Sequence, residues 1–376
     1  MTGPIVARDP GVGFGSSALP PNSKRLQGAA DARNRPASCS PLCEQADNKA
    51  DAVSCDRLHV IVLAAGKGTR MKSDLAKVLH PVFFRPMVCH VLDAVDPLGP
   101  EETVVVTGHQ AERVEEELSS YELTFVRQTE QLGTGHAVLT TESSFSGKSG
   151  IALILCGDTP LIRPSTLQAM LGEHRDQQGT LTVMTTIAHD PSHYGRIVIN
   201  EQGGIERIVE EKDANEAERR IQEVNAGIYC VDLAFLFAAL RQVGTDNKQG
   251  EVYLTDIVTI ARRQGLGVSR FLCPDPVEIT GVNSRIELAR ANSIMQQRRN
   301  QALMLAGVTM IDPGSIFIEN SVVVGRDTEI HSHCVLAGNT IIGQGCRLEP
   351  FSKLVDCRVG ERTVIKSFSD LRDQVV

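Results

Sequence analysis

The sequence predicts an α/β fold with a mixed, mainly parallel sheet, followed by a short left-handed parallel β-helix. Three observations carry that expectation. Apolar, β-branched runs alternate with stretches of helical spacing from residue 58 onward, and a six-residue aliphatic period fills the last part of the chain. Aromatic residues make up only 4% of the 376 residues, with no Trp, so the cores must be filled by aliphatic side chains. Buried parallel sheets and narrow solenoids both have that requirement.

Residues 1–57 read as a disordered N-terminal extension. They hold 6 of the 17 prolines, a single Phe (Phe14) and nearly balanced charge, too little apolar surface to offset the entropy of ordering. The segment has neither the basic start nor the apolar stretch of a signal peptide. Gly11-Val-Gly-Phe-Gly15 follows no strand and does not read as a site, and Cys39 and Cys43, which could hold a metal with partners, read rather as part of an unstructured tail.

Leu58–Leu63 opens the folded part as an apolar run of the kind a buried parallel strand needs. Thr103–Val106, Ile151–Leu155 and Leu181–Met184 repeat the pattern, with helical spacing at 111–119 and 164–176 between them. Strands alternating with helices imply right-handed crossovers and a sheet covered on both faces. From Tyr194 to Val231 the pattern turns to antiparallel hairpins, with Gln202-Gly203-Gly204 as a turn. Residues 283–307 read as a linker helix closed by Gly307.

Over 308–376, Ile318, Val324, Ile330, Leu336, Ile342, Leu348 and Leu354 recur in strict phase. Four positions after the first six stand Val322, Thr328, Cys334, Thr340, Cys346 and Ser352, all slim. This is the pattern of a triangular parallel β-helix, with the aliphatic residue filling the interior and the slim one easing the corner. The phase slips near Arg358, so about three regular coils and one imperfect coil are expected. His331-Ser-His333 reads as solvated corner residues rather than a metal site.

Composition sets outer limits. Against 46 Asp+Glu the chain has 38 Lys+Arg, a net charge of -8, which argues against a nucleic-acid partner. No apolar run reaches the roughly 18 to 20 residues of a membrane helix. The ten cysteines form no CxxC pair and several sit in apolar runs, as expected for a reducing, cytoplasmic location.

The chemistry concentrates after the first strand, in Leu63-Ala-Ala-Gly-Lys-Gly-Thr-Arg-Met71. Small residues at a strand's carboxyl end let backbone approach a ligand closely. Lys67, Arg70 and Lys77 are three cations around that turn and suit a triphosphate. The loop lacks the third glycine of a dinucleotide fingerprint and the Gly-Lys-Ser/Thr of a P-loop. Taken alone, it fits an ordinary strand-to-helix turn with exposed basic residues equally well.

With its surroundings, the chain resembles the nucleotidyltransferases that activate sugar phosphates. It is most similar to the uridylyltransferase half of bacterial bifunctional N-acetylglucosamine-1-phosphate uridylyltransferase/glucosamine-1-phosphate acetyltransferases. Nine blocks carry the likeness, from about Leu58 to about Gly345: the Leu63–Met71 loop, Lys77-Val-Leu-His80, Gln131-Leu-Gly-Thr-Gly-His-Ala137, Gly157-Asp158, Tyr194-Gly-Arg196, Glu210-Glu-Lys-Asp213, Asn225-Ala-Gly227, Gln249-Gly-Glu-Val-Tyr-Leu-Thr-Asp256 and Gly281-Val-Asn283. The resemblance implies a Rossmann-like nucleotidyltransferase domain over 58–282 and the stated β-helix after it.

It also implies the site. Leu63, Ala64, Ala65 and Gly66 would hold uracil and ribose through backbone, with Gln128, Gln131, Gly133 and Thr134 against the base and Lys77 on the phosphates. Asp158 and Asn283 would be the Mg²⁺ ligands, with Arg70, Lys77 and Asp158 the catalytic residues. Gly195, Glu210, Asn225, Tyr253 and Thr255 would form the sugar-phosphate pocket. Read singly, Gln128 and Gln131 would be solvated amides, Asp158 a helix cap, and Asn225 and Thr255 turn or cap residues.

The implied reaction joins UTP and N-acetylglucosamine-1-phosphate into UDP-N-acetylglucosamine and pyrophosphate, and needs no protein nucleophile. Glucose-1-phosphate with UTP or dTTP is a near alternative. A regulatory, non-catalytic member is disfavoured because Arg70, Lys77 and Asp158 are all present, and a pure acyltransferase because the repeat is short. The family's acetyltransferase half uses a longer β-helix, so no acetyl transfer is expected of this chain; a homo-oligomer would form through the β-helix. Ala76, Cys156 and Ala226 stand where the family commonly has Pro, Tyr and Thr, which bears on sugar preference.

Overall fold

A computed structural model describes residues 57–376. The expected extension, with its Gly11–Gly15 run, Cys39 and Cys43, lies outside the described residues except for Arg57. The first strand, Leu58–Leu63, takes the centre of a nine-stranded sheet. Across the sheet the order is Val268–Leu272, Leu181–Ile187, Glu223–Asp232, Ile151–Cys156, Leu58–Leu63, Glu102–Thr107 and Thr124–Arg127. Every neighbouring pair along it is parallel except those made by Glu223–Asp232, which runs antiparallel between Leu181–Ile187 and Ile151–Cys156. A hairpin, Arg196–Ile199 with Ile205–Val209, joins that strand at its start. Asn200 accepts from Gln202 N and Gly204 N to fold the expected turn, and Gly203 takes φ +79°.

Side-chain alternation sorts the strands' residues onto two faces. Val60, Val62, Val105, Leu153 and Leu155 face the helices Met87–Val95 and Pro164–Asp176. Ile61, Val104, Val106, Ala152 and Ile154 face Thr134–Leu139, Leu233–Leu240 and Asp256–Arg263. Each such Val, Leu or Ile is nearly fully buried, a contribution of about 1.5–3 kcal/mol. With both faces covered, the loops at the strands' carboxyl ends are left to the ligand.

The linker helix runs Arg285–Leu305; Ser284 caps it by accepting from Glu287 N at 3.3 Å, and Gly307 at φ +96° follows its end. Its face toward the solenoid sets polar side chains beside Leu303, which joins the solenoid core. Gln296 donates to the carbonyls of Gly314 and Ile316 at 2.9 and 2.8 Å, Asn300 to Pro313 and Ile316 at 2.8 and 2.9 Å, and Arg299 to Val322. These amides satisfy first-coil carbonyls that have no preceding coil to bond.

The solenoid has three parallel sheets of four, four and three strands, so it begins at Thr309–Met310, a face earlier than the phased residues indicate. Pairing advances by 20 residues at the first strand (Thr309↔Glu329), by 18 from Phe317 on (Val335↔Lys353) until Val355, then by 17 (Ile341↔Arg358), which is the phase slip. Ile318, Ile330, Leu336, Leu348 and Leu354 are fully buried. The slim residues do more than ease corners. Thr328 and Thr340 are buried and accept from Cys346 N and Cys357 N in the next coil, at 3.2 and 3.3 Å. His331 pairs with Glu329 at 2.7 Å and His333 stacks on Phe351. Among the described residues no group of three or more His, Cys, Asp or Glu is placed for a metal, and the seven cysteines are free thiols. No described helix is long and apolar enough to cross a membrane.

Candidate active site

The loop after the first strand is pinned to its neighbours by backbone. Ala64 N donates to Val106 O at 2.9 Å and Gly157 N to Leu63 O at 2.9 Å. A side chain at Gly108 would put its Cβ 2.8 Å from Ala65 O, so only glycine allows that approach. Gly68 takes φ +61°, and a Cβ there would lie 2.6 Å from the Cβ of Lys77. The stem of Lys77 crosses that gap. Gly66, Lys67 and Arg70 are exposed at the rim, while Ala64 and Ala65 are buried beneath.

Lys77 reaches across to the ends of two other segments. Its Nζ ion-pairs with Asp158 Oδ2 and donates to Asn283 Oδ1 at 3.1 Å. Arg70 Nη2 donates to the same Asn283 oxygen at 3.0 Å. Val282 N bonds Asp158 O at 2.8 Å and Glu287 accepts from Asn283 N at 2.6 Å, which fixes the asparagine beside the aspartate. Residues 70, 77, 158 and 283, far apart in sequence, thus meet at one point. Asp158 caps no helix, since the helix beyond it starts only at Pro164 after Arg163.

The amides expected at the base turn partly inward. Gln131 Nε2 donates to Ala65 O at 2.8 Å, which ties it to the first-strand loop. Gln128 is buried, with Nε2 held by Gly133 O and His136 Nδ1 at 3.1 and 3.0 Å, so its donor braces its own turn. Gly133, at φ +106°, packs against Glu251 and Val252, where a Cβ would sit 2.6 Å from Val252 O. Thr134 Oγ1 accepts from Leu254 N at 3.2 Å. These two residues therefore fasten the turn to the 251–254 segment.

That segment carries the other cluster. Thr255 Oγ1 donates to Glu210 Oε1 at 3.3 Å. Asn225 N donates to Gly195 O at 2.9 Å, and a Cβ on Gly195 would lie 3.5 Å from Glu210 Oε1. Burial, reinforced by Asp213, Asp256 and Glu251, pushes the Glu210 carboxyl above its ordinary range, against the Thr255 hydrogen bond. Tyr253 does not bond Glu210; its hydroxyl donates to Asp213 at 3.2 Å and accepts from Gln249 at 2.8 Å. The two clusters join through Cys156, whose sulfur lies against Gly227 and whose strand leads directly into Asp158. Burial pushes that thiol up to about 12, which keeps it neutral.

Sequence reasoning missed two residues here. Gln110, at φ +54°, accepts from Ala76 N at 2.9 Å and donates to Asp74 O at 2.7 Å, clamping the turn that presents Lys77. The clamp needs an N–H at position 76, which a Pro there would lack. Tyr229, fully buried, is bonded to Asn225. Neither Gln110 nor Tyr229 lies in a motif that would signal it.

A mainly parallel sheet with a glycine-bearing, cationic loop after its first strand and a carboxylate facing that loop defines a nucleotidyltransferase. Residues 60–226 match the family described as the MobA-like NTP transferase domain. The bifunctional protein GlmU of Desulfotalea psychrophila is 46% identical over 84% of this chain and 93% of that protein. The GlmU of Geobacter metallireducens is 51% identical over 78% of this chain and 62% of that protein. A solved structure described as a glucose-1-phosphate thymidylyltransferase of Bacillus anthracis shares the fold, with TM-score 0.50 at 20% identity over 63% of this chain and 94% of that one. The chain belongs to the GlmU family.

Proposed function

We propose that the chain is a UTP:N-acetylglucosamine-1-phosphate uridylyltransferase acting in the cytoplasm, with its chemistry in the domain of residues 58–282 and in Asn283 at that domain's end. The convergence of Lys77, Arg70, Asn283 and Asp158 carries the reading. The sugar-phosphate oxygen attacks the α-phosphorus of UTP, the new P–O bond forms, and pyrophosphate leaves in line. Lys77 and Arg70 bind the phosphates and neutralise charge that builds on them, so catalysis is positioning plus electrostatics. The backbone of Leu63 to Gly66, with Gln128, Gln131, Gly133 and Thr134, holds the nucleoside. Gly195, Glu210, Asn225, Tyr253 and Thr255 hold the sugar, with carboxylate and amide groups suited to hydroxyl and acetamido recognition.

The donor set fits Mg²⁺. One ammonium already sits on both Asp158 Oδ2 and Asn283 Oδ1, so the two hard oxygens can share a cation. Bound there, Mg²⁺ would add neutralisation of the phosphate oxygens. A pyrophosphate-release screen crossing four nucleoside triphosphates with several sugar-1-phosphates tests the assignment. UTP with N-acetylglucosamine-1-phosphate is expected to turn over fastest. Release only with glucose-1-phosphate or dTTP would change the substrate, and no release with any pair would end the enzymatic reading.

A further inference from the structure

We propose that Tyr229, buried in the core, is a positioning residue that sets Asn225 for the sugar. The proposal rests on the reading of Asn225 as part of the sugar-phosphate pocket. In a regular strand, residues four apart are about 13 Å apart. Here they are hydrogen-bonded: Asn225 Nδ2 donates to the Tyr229 hydroxyl at 2.7 Å.

A bulge makes that contact. Between Asn225 and Tyr229 the strand advances four residues while its partner advances only from Thr185 to Val183. Gly227, at φ +73°, occupies the bend with the sulfur of Cys156 behind it. The Gly227 N–H donates to Asn225 Oδ1 at 3.0 Å. An N–H cannot donate to an amide NH₂, so this bond alone fixes which end of Asn225 is oxygen. The amide nitrogen must then face Tyr229. Both ends are held, and one N–H and one oxygen lone pair remain for a ligand.

Tyr229 needs no hydroxyl to fill its place. Its ring packs with Ile154, Val183 and Val231 on one face of the sheet, where a phenyl would pack equally well. Burial, with Glu210 and Cys156 adding to it, keeps the phenol protonated, so it stays a stable partner for the amide at all working pH values.

Steady-state kinetics on the full chain with UTP and N-acetylglucosamine-1-phosphate test this, using Tyr229→Phe, Asn225→Ala and the double variant. Tyr229→Phe should raise KM for the sugar phosphate about five- to tenfold, the loss of one neutral hydrogen bond. KM for UTP and kcat should stay within about twofold, because one reorientation at the sugar end leaves phosphate contacts alone. The double variant should be no worse than Asn225→Ala. An unchanged sugar KM in Tyr229→Phe, beside a raised one in Asn225→Ala, overturns the role of Tyr229 and leaves the pocket reading intact. An unchanged sugar KM in Asn225→Ala overturns both. Equal rises in both KM values, with a matching fall in melting temperature, would mean general loosening and also overturn it.

Discussion

The two ends of the site hold their polar groups in opposite ways. At the proposed phosphate end Lys77, Arg70, Asp158 and Asn283 hold one another by ionic and charge-assisted contacts, and the Lys77 and Asp158 side chains each keep 15% exposure. An arriving polyanion can redistribute such contacts without leaving a buried group unpaired. At the proposed sugar end Glu210, Thr255, Asn225 and Tyr229 sit in directional bonds backed by a bulge and a closely approached glycine. That arrangement is built before the ligand arrives. The contrast separates charge neutralisation, where the rate should reside, from shape and hydrogen-bond matching, where selectivity should reside.

The harshest way to break the comparison is to remove the phosphate-end charges. Asp158→Ala and Lys77→Ala should each lower kcat by about 10³-fold, with melting temperatures close to the parent's. A change confined to the sugar KM would show that the two ends are not separate. Next is Glu210→Gln. It should raise the sugar KM about 10- to 100-fold, since a carboxylate hydrogen bond is lost, and raise the melting temperature at any pH where the parent's buried carboxyl is ionised, by removing a desolvated charge.

The sign with pH follows from the raised Glu210 carboxyl. The native chain keeps that proton where the unfolded chain has lost it. Stability linked to Glu210 is therefore full in acid, below the ordinary carboxylate range, and lost as pH rises through the raised native value. Sugar affinity runs the other way, with KM falling over the same window as the carboxylate forms. From about pH 4 upward, urea titrations should show stability falling while the sugar KM falls with it in the parent, and both trends should flatten in Glu210→Gln.

The smallest expected effect is at Gln110. Gln110→Ala should lower kcat about fivefold, by loosening the turn that carries Lys77, with the sugar KM unchanged. Ala76→Pro should cost activity in the parent and nothing further in Gln110→Ala, because the bond it deletes is already gone. Additive losses would show that Gln110 acts elsewhere.

The fold was legible where a period was long and unbroken. Leu58–Leu63 and Pro164–Asp176 follow the apolar pattern, and the linker helix runs from its Ser284 cap to the stop before Gly307. The hexapeptide period placed the solenoid strands, but its first face, at Thr309–Met310, precedes the phased aliphatic residues and was invisible to that count. The meeting of residues 70, 77, 158 and 283 rested on motif order. Local propensity says nothing of contacts between residues more than 200 apart. Gln110 and Tyr229 stayed hidden for a different reason. Their roles depend on a positive φ and on a bulge, and neither leaves a residue-type signature in a single sequence.

The polar side chains of the linker helix give the solenoid a direction. Gln296, Arg299 and Asn300 occupy the carbonyls that an earlier coil would need, so the stack is a lattice with one terminus blocked. A further coil could therefore stack only on the distal terminus, because each coil bonds its neighbours alone. The helix thereby serves as the fixed origin from which the coils of this repeat are counted.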